Sequence, residues 1–102
     1  MGKMILEINF NYDGTLDEAS AAFAPVAQPI ADFPGLSWKI WCWSDDGPEF
    51  AGVYLFENED ALSSYLSSTI VDQVKQHPAV SNIRAKAFAV AEQPTAVTRG
   101  PV

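Results

Sequence analysis

The chain has 102 residues with 48% hydrophobic and 12% aromatic content, enough for one core and too little for two independent domains. Six basic residues stand against 13 acidic ones, a formal net charge of −7, which argues against nucleic acid or an anionic membrane as a partner. Cys42 is the single cysteine, so an intrachain disulfide and a Cys-x-x-Cys site are both excluded. No run reaches the ~18–20 apolar residues of a bilayer span and no signal-like start is present; the default expectation is a soluble cytoplasmic protein.

Met4 to Asn11 alternates, with Leu6, Ile8 and Phe10 on one parity and Glu7, Asn9 and Asn11 on the other, which predicts a strand. Asp13-Gly14 turns the chain, and Thr15 with Glu18 forms a capping-box signature. Leu16, Ala19, Phe23 and Ile30 then recur at helical spacing. Pro25 and Pro29 should kink or divide this helix, because each removes an amide donor and crowds the preceding turn. Leu36 to Ser44 reads as a second strand and Phe50 to Phe56 as a third, joined through Asp45-Asp46-Gly47-Pro48 as a hairpin. Asn58 should cap a second helix carrying Leu62, Tyr65, Leu66, Thr69 and Val74 on its buried stripe, with His77-Pro78 at its end. Asn82 to Val90 alternates again as a fourth strand.

The order βαββαβ is that of the ferredoxin-like α+β fold, a four-stranded antiparallel sheet with two helices on one face. Residues 1–92 form the single domain and residues 93–102, with Pro94, Gly100 and Pro101, read as a C-terminal arm.

One sheet face should meet the helices. Leu6, Ile8, Ile40, Val53, Leu55, Ala85, Ala87 and Ala89 are assigned to it, with Cys42 as a buried filler. The opposite face then carries Glu7, Asn9, Lys39, Trp41, Trp43, Tyr54, Phe56, Arg84, Lys86 and Phe88. So aromatic a surface predicts an interface or a ligand groove, and pairing two copies face to face would make a homodimer enclosing a pocket, with Trp41 in the layer between the sheets.

Pro34-Gly35-Leu36-Ser37-Trp38-Lys39-Ile40-Trp41, followed by Gly52-Val53-Tyr54-Leu55-Phe56, resembles the YdhR-type monooxygenases. Ala61-Leu62 with Tyr65-Leu66, and Lys86-Ala87-Phe88-Ala89-Val90, fall where that family has similar segments. The resemblance implies a dimeric α+β barrel related to the antibiotic biosynthesis monooxygenases, which oxidise aromatic, polyketide-like substrates with dioxygen and need neither flavin nor metal. It also implies an asparagine on the first strand, matched by Asn9, and a tryptophan near the end of the third, where Phe56 stands without an indole donor. Haem-degrading cousins need a histidine, and His77 is the single candidate.

Chemistry of that kind removes a proton from a phenol-like substrate so that its carbanion can reduce dioxygen, and the protein holds the ring, steadies the anion and excludes water. The candidate catalytic residues are Asn9, Trp41, Tyr54 and Arg84; the candidate substrate-binding residues are Glu7, Lys39, Trp43, Phe56, Lys86 and Phe88. Arg84, Lys86 or Lys39 would stabilise the anion, and Glu7 or Asn9 would accept or orient a proton. Each has a plainer reading: tryptophans in strands bury area, Glu7 can pair across strands with Arg84 or Lys86, and His77 can satisfy helix-terminal carbonyls. No metal ligand set is expected from one histidine and one cysteine. The rivals to an oxygenase are a non-catalytic dimer binding a small hydrophobic ligand or haem, and a stress-associated barrel filled by its own side chains.

Overall fold

The computed structural model describes residues 2–102. The elements run β1 (Met4–Tyr12), α1 (Leu16–Ala31), β2 (Leu36–Ser44), β3 (Glu49–Phe56), α2 (Glu59–Leu66), α3 (Thr69–Gln76), β4 (Val80–Ala89) and α4 (Glu92–Val97). The strands form one antiparallel sheet in the order β2-β3-β1-β4, and α1, α2 and α3 cover one face. This is the ferredoxin-like α+β arrangement. Among the described residues no helix is long and apolar enough to cross a membrane.

Local chemistry accounts for the element ends. Thr15 Oγ1 accepts from the Glu18 amide at 3.1 Å and Glu18 Oε1 accepts from the Thr15 amide at 2.8 Å, so two orphan donors of α1 are met reciprocally. Pro25 and Pro29 lie inside α1 without dividing it. The second helical region, expected as one helix, is two. Ser68 Oγ donates to the Tyr65 carbonyl at 2.6 Å and receives the Val71 amide at 3.5 Å, ending α2 and capping α3 with one side chain. The segment expected as an extended arm contains α4, and Trp38 Nε1 donates to the Pro101 carbonyl at 2.8 Å, tying the chain end to β2.

The sheet register corrects the face assignment for two strands. Leu6 pairs with Tyr54 and Ala87, Ile8 with Gly52 and Ala85, and Met4 with Phe56 and Ala89. Directly paired residues share a face, so Tyr54, Gly52 and Phe56 join Leu6 and Ile8 on the helix side. Lys39 pairs with Tyr54, Trp41 with Gly52 and Trp43 with Phe50, which brings Lys39, Trp41 and Trp43 to that side too. Ile40, Val53 and Leu55, assigned to the helices from the sequence, lie on the opposite face with Glu7, Asn9, Arg84, Lys86 and Phe88, where Leu55 is nonetheless buried. Cys42 is exposed rather than a buried filler. The physical reason is volume: the space beneath three helices takes the large rings of Phe50, Tyr54 and Phe56, and the smaller β-branched Ile40 and Val53 take the other parity.

The core is aromatic. Phe10, Phe23 and Phe50 meet at centroid separations of 5.6–5.8 Å, and Tyr54, Phe56 and Tyr65 form a second group at 5.0–5.9 Å, within the range of favourable ring pairs. Gly35 turns the chain from α1 into β2 at φ +88°, and a Cβ there would collide with the Cβ of Ala61. Gly35→Ala should therefore lower stability by roughly 2–3 kcal/mol, seen in urea as an earlier midpoint with an unchanged slope.

Candidate functional site

A cavity of about 240 Å³ lies between the sheet and the helices of a single protomer. Its floor is the helix-facing row of Ile8, Gly52 and Trp41 with Phe10, Phe50, Tyr54, Ile83 and Ala85 around it. Its roof comes from Phe23, Val26 and Ile30 on α1, Tyr65 and Leu66 on α2, and Val71, Val74 and Lys75 on α3. A cavity of about 150 Å³ accommodates benzene, so this one suits a molecule of one or two fused rings. Trp41 and Phe50 also wall a second, more open cleft against α1, together with Leu16, Trp43 and Cys42.

Polar groups are few and convergent. Lys39 runs into the cavity with Nζ 3.3 Å from the centre of the Trp41 ring and 4.5 Å from that of Tyr54. Gly52 makes room for it: a Cβ on Gly52 would stand 2.9 Å from Lys39 Cε and 3.0 Å from Tyr54 Cε1. Burial pushes the Lys39 amine down to about 7 from its ordinary 10.5, because an ammonium loses water there with no carboxylate in exchange. The face of Trp41 opposes that loss by favouring the cation. The Tyr54 and Tyr65 hydroxyls are hydrogen-bonded at 3.0 Å; burial, first of all, holds both well above the usual phenol range. Whichever hydroxyl donates within the pair, the other keeps a proton to offer a ligand.

The structure divides the ten candidate residues between two faces. Lys39, Trp41 and Tyr54 line the cavity. Trp43 belongs to the neighbouring cleft, where its Nε1 donates to Asp45 Oδ1 at 2.8 Å. Phe56 is fully buried and stacks on Tyr54 without reaching the cavity. Asn9, Arg84, Glu7, Lys86 and Phe88 are on the far side of the sheet, so they cannot share a site with Trp41 and Tyr54. The carboxylate partner of Arg84 is Glu49, with Nη2 2.8 Å from Oε2 across β1, and not Glu7. Asn9 Oδ1 is buried there without a hydrogen-bond partner among the described residues. His77 packs against Tyr12 and Phe23 and accepts the Ala79 amide at Nδ1; it does not line the cavity.

Sequence reasoning passed over Gly52, Tyr65 and Lys75 as site residues. A glycine in the middle of a strand is the one sequence signal that marked the spot, since it weakens the strand unless something must approach closely. Lys75 is exposed at the C-terminal end of α3 and carries no such signal.

The family model "Putative mono-oxygenase ydhR" matches residues 5–101. No curated protein matches the chain. Among solved structures, SnoaB, a cofactor-independent oxygenase from Streptomyces nogalater, superposes with TM-score 0.72 at 17% identity, covering 90% of this chain and 96% of that one. Protein SO0527 from Shewanella oneidensis gives TM-score 0.72 at 14% identity, covering 87% and 91%. Rv0793 from Mycobacterium tuberculosis gives 0.71 at 14%, covering 89% and 97%. At these identities the likeness is one of fold.

The position of Lys39 has a measurable consequence for stability. Its folded pKa near 7 lies below the unfolded value of 10.5, so between those limits the unfolded chain binds more protons. The penalty for holding the ammonium is full below pH 7 and fades as pH rises. Lys39→Met should raise stability at pH 6 by about 1–3 kcal/mol, and the gain should shrink by pH 9 in urea titrations at both values.

Proposed function

The chain belongs to the ydhR mono-oxygenase family, and from that premise we propose that it is a cofactor-independent monooxygenase acting on a small aromatic or polyketide-like molecule held between its sheet and helices. The observation that carries this reading is the aromatic cavity between sheet and helices, with one amine and one hydroxyl pair as its inner polar groups. Flat walls from Trp41, Phe50 and Tyr54 orient a ring, and exclusion of water strengthens every charge interaction inside. A substrate methylene flanked by a ring and a carbonyl gives up a proton and becomes a carbanion whose charge rests on the oxygen. Lys39 Nζ is the cation placed to hold that oxyanion, and the free tyrosine hydroxyl is a second donor. Two electrons pass from the carbanion to dioxygen, a carbon–oxygen bond forms, and loss of water leaves a carbonyl, so that CH2 and O2 become C=O and H2O.

SnoaB, of like fold, is a cofactor-independent oxygenase, which supports the same class of reaction here. One observation favours a rival. Asn9 faces away from the cavity and Phe56 does not reach it, so neither position implied by the resemblance supplies a polar group, as expected of a non-catalytic holder of small apolar ligands. Oxygen consumption separates the two readings. With 2-tetralone, whose C1 methylene lies between a ring and a carbonyl, in chelator-treated buffer the protein should accelerate oxygen uptake over the spontaneous rate, and Lys39→Met should reduce that acceleration at least tenfold. No acceleration with 2-tetralone or its hydroxylated analogues favours the holder.

The open face supports the second part of the proposal, assembly as a homodimer. Ile40 and Phe88 are 52% and 40% exposed, Ile5 and Val53 are half-buried beside them, and such a patch is covered when two sheets pack face to face. Trp41, 37% exposed on the helix side of the sheet, is not part of it. Ile40→Asp and Phe88→Glu should shift sedimentation at micromolar concentration from dimer to monomer, whereas Trp41→Ala should leave the assembly unchanged.

A further inference from the structure

The cavity is positively charged already in the free protein, before any oxyanion develops during reaction. Two of the six basic residues of the chain line it, Lys39 within and Lys75 from α3, and no aspartate or glutamate does. This is set against a net charge of −7, so the local balance in the cavity is opposite in sign to that of the whole chain. Among the described residues the one salt bridge, Arg84 with Glu49, is on the far side of the sheet, and Lys39 has rings rather than a carboxylate for neighbours. An ammonium in such a place is attracted by ring faces but retains unused donors.

We propose that this pocket selects a flat aromatic oxyanion, an aryl carboxylate or an acidic phenol bound as its phenolate, with Lys39 Nζ holding the charged oxygen. The inference rests on the proposed function only in taking the same cavity as the substrate site; it adds that the anion is recognised on binding, before any chemistry. The ring packs among the apolar side chains of the cavity beside Phe50 and Ile8, the oxygen meets the amine, and the spare hydroxyl proton of the Tyr54–Tyr65 pair is available to the same oxygen. Lys75 adds attraction for negative charge. The ionisable groups sharing the cavity with Lys39 are Tyr54 from β3, Tyr65 from α2 and Lys75 from α3, while α1, β1 and β4 contribute only apolar side chains. With the amine balanced near neutrality in the free protein, an entering anion draws a proton onto it, and binding is coupled to proton uptake.

Calorimetry with 2-naphthoate, its methyl ester and 2-naphthol tests this on the full chain. At pH 6 the naphthoate should bind at least tenfold more tightly than the ester, and Lys39→Met should erase that preference while leaving ester affinity within about threefold. Naphthoate stays ionised from pH 6 to 9, so its affinity should fall over that range as free Lys39 loses its proton. At pH 8 the heat should vary with the ionisation enthalpy of the buffer in the direction of proton uptake. A red-shifted naphtholate absorption on binding at pH 8, absent in Lys39→Met, assigns the oxyanion to phenols; preference for naphthoate without that band assigns it to carboxylates. The proposal is overturned if ester and acid bind alike, if the preference survives in Lys39→Met, or if naphthoate affinity is flat from pH 6 to 9. The last needs no variant and decides the matter should Lys39→Met not fold. Oxygen is not read in any arm: an anion-selective pocket without oxygen uptake keeps this inference and removes the oxygenase, and an oxygen-consuming protein indifferent to charge does the reverse.

Discussion

Gly52 leaves the helix-facing row of the sheet without a side chain at its centre, and the cavity depends on that omission. On one side Ile8 and on the other Trp41 flank it in register. A methyl group there would press on Lys39 Cε and on the Tyr54 ring, and a larger side chain would occupy the space the ligand is proposed to use. A protein interior is otherwise packed to the density of an organic crystal, so a void of about 240 Å³ under three helices persists because rigid aromatic groups hold its walls apart. The Phe10–Phe23–Phe50 cluster braces one end and the Tyr54–Phe56–Tyr65 cluster the other.

The βαββαβ element order and the starts of α1 and α2 were legible because local signals are strong where one residue type has few alternatives. Thr15 with Glu18, Asn58 before Glu59, and the alternation of β1 each have a single reading. Where a strand carries apolar residues on both parities, the period of two locates it without choosing its face. In β1, Glu7, Asn9 and Asn11 mark the outward parity, and in β4 the alanines mark the inward one. In β2 and β3 no such marker exists. Lysine at position 39 reads as outward by habit, yet its stem is apolar and its ammonium finds two rings, so the residue that pointed outward in the sequence is the inner polar group of the pocket.

That single inversion of β2 and β3 changes the meaning of both faces. The aromatics were evidence for an interface between protomers, and they became the wall of an intramolecular cavity. The open face is left with aliphatic residues, Trp38, Phe88, the facing Glu7 and Lys86, and the Arg84–Glu49 pair, a mixture of apolar and charged groups that suits a contact surface. The buried, unpartnered Asn9 Oδ1 sits on that face as well. The chain end, held by the Trp38–Pro101 hydrogen bond, limits how much of the face stays open. Site and surface are therefore built back to back on one sheet, sharing β1 and β3, and a substitution on either parity of those strands acts on one without entering the other.

The electrostatics of Lys39 then carry most of the functional argument. A partly buried cation without a counter-charge lowers stability, and hydrophobic residues of similar volume would remove that cost. Methionine would fill the same space over Gly52 and Trp41. The amine instead stays in a cavity whose every other inner surface is apolar or a weakly acidic hydroxyl, and those hydroxyls are themselves kept protonated by burial. Lys39 cannot draw its charge balance from Tyr54 or Tyr65, and Lys75 only adds to the deficit. Where Lys39 carries its proton the pocket holds a positive charge without a partner, and the ligand proposed for it answers that charge: negative, flat, and no larger than one or two rings.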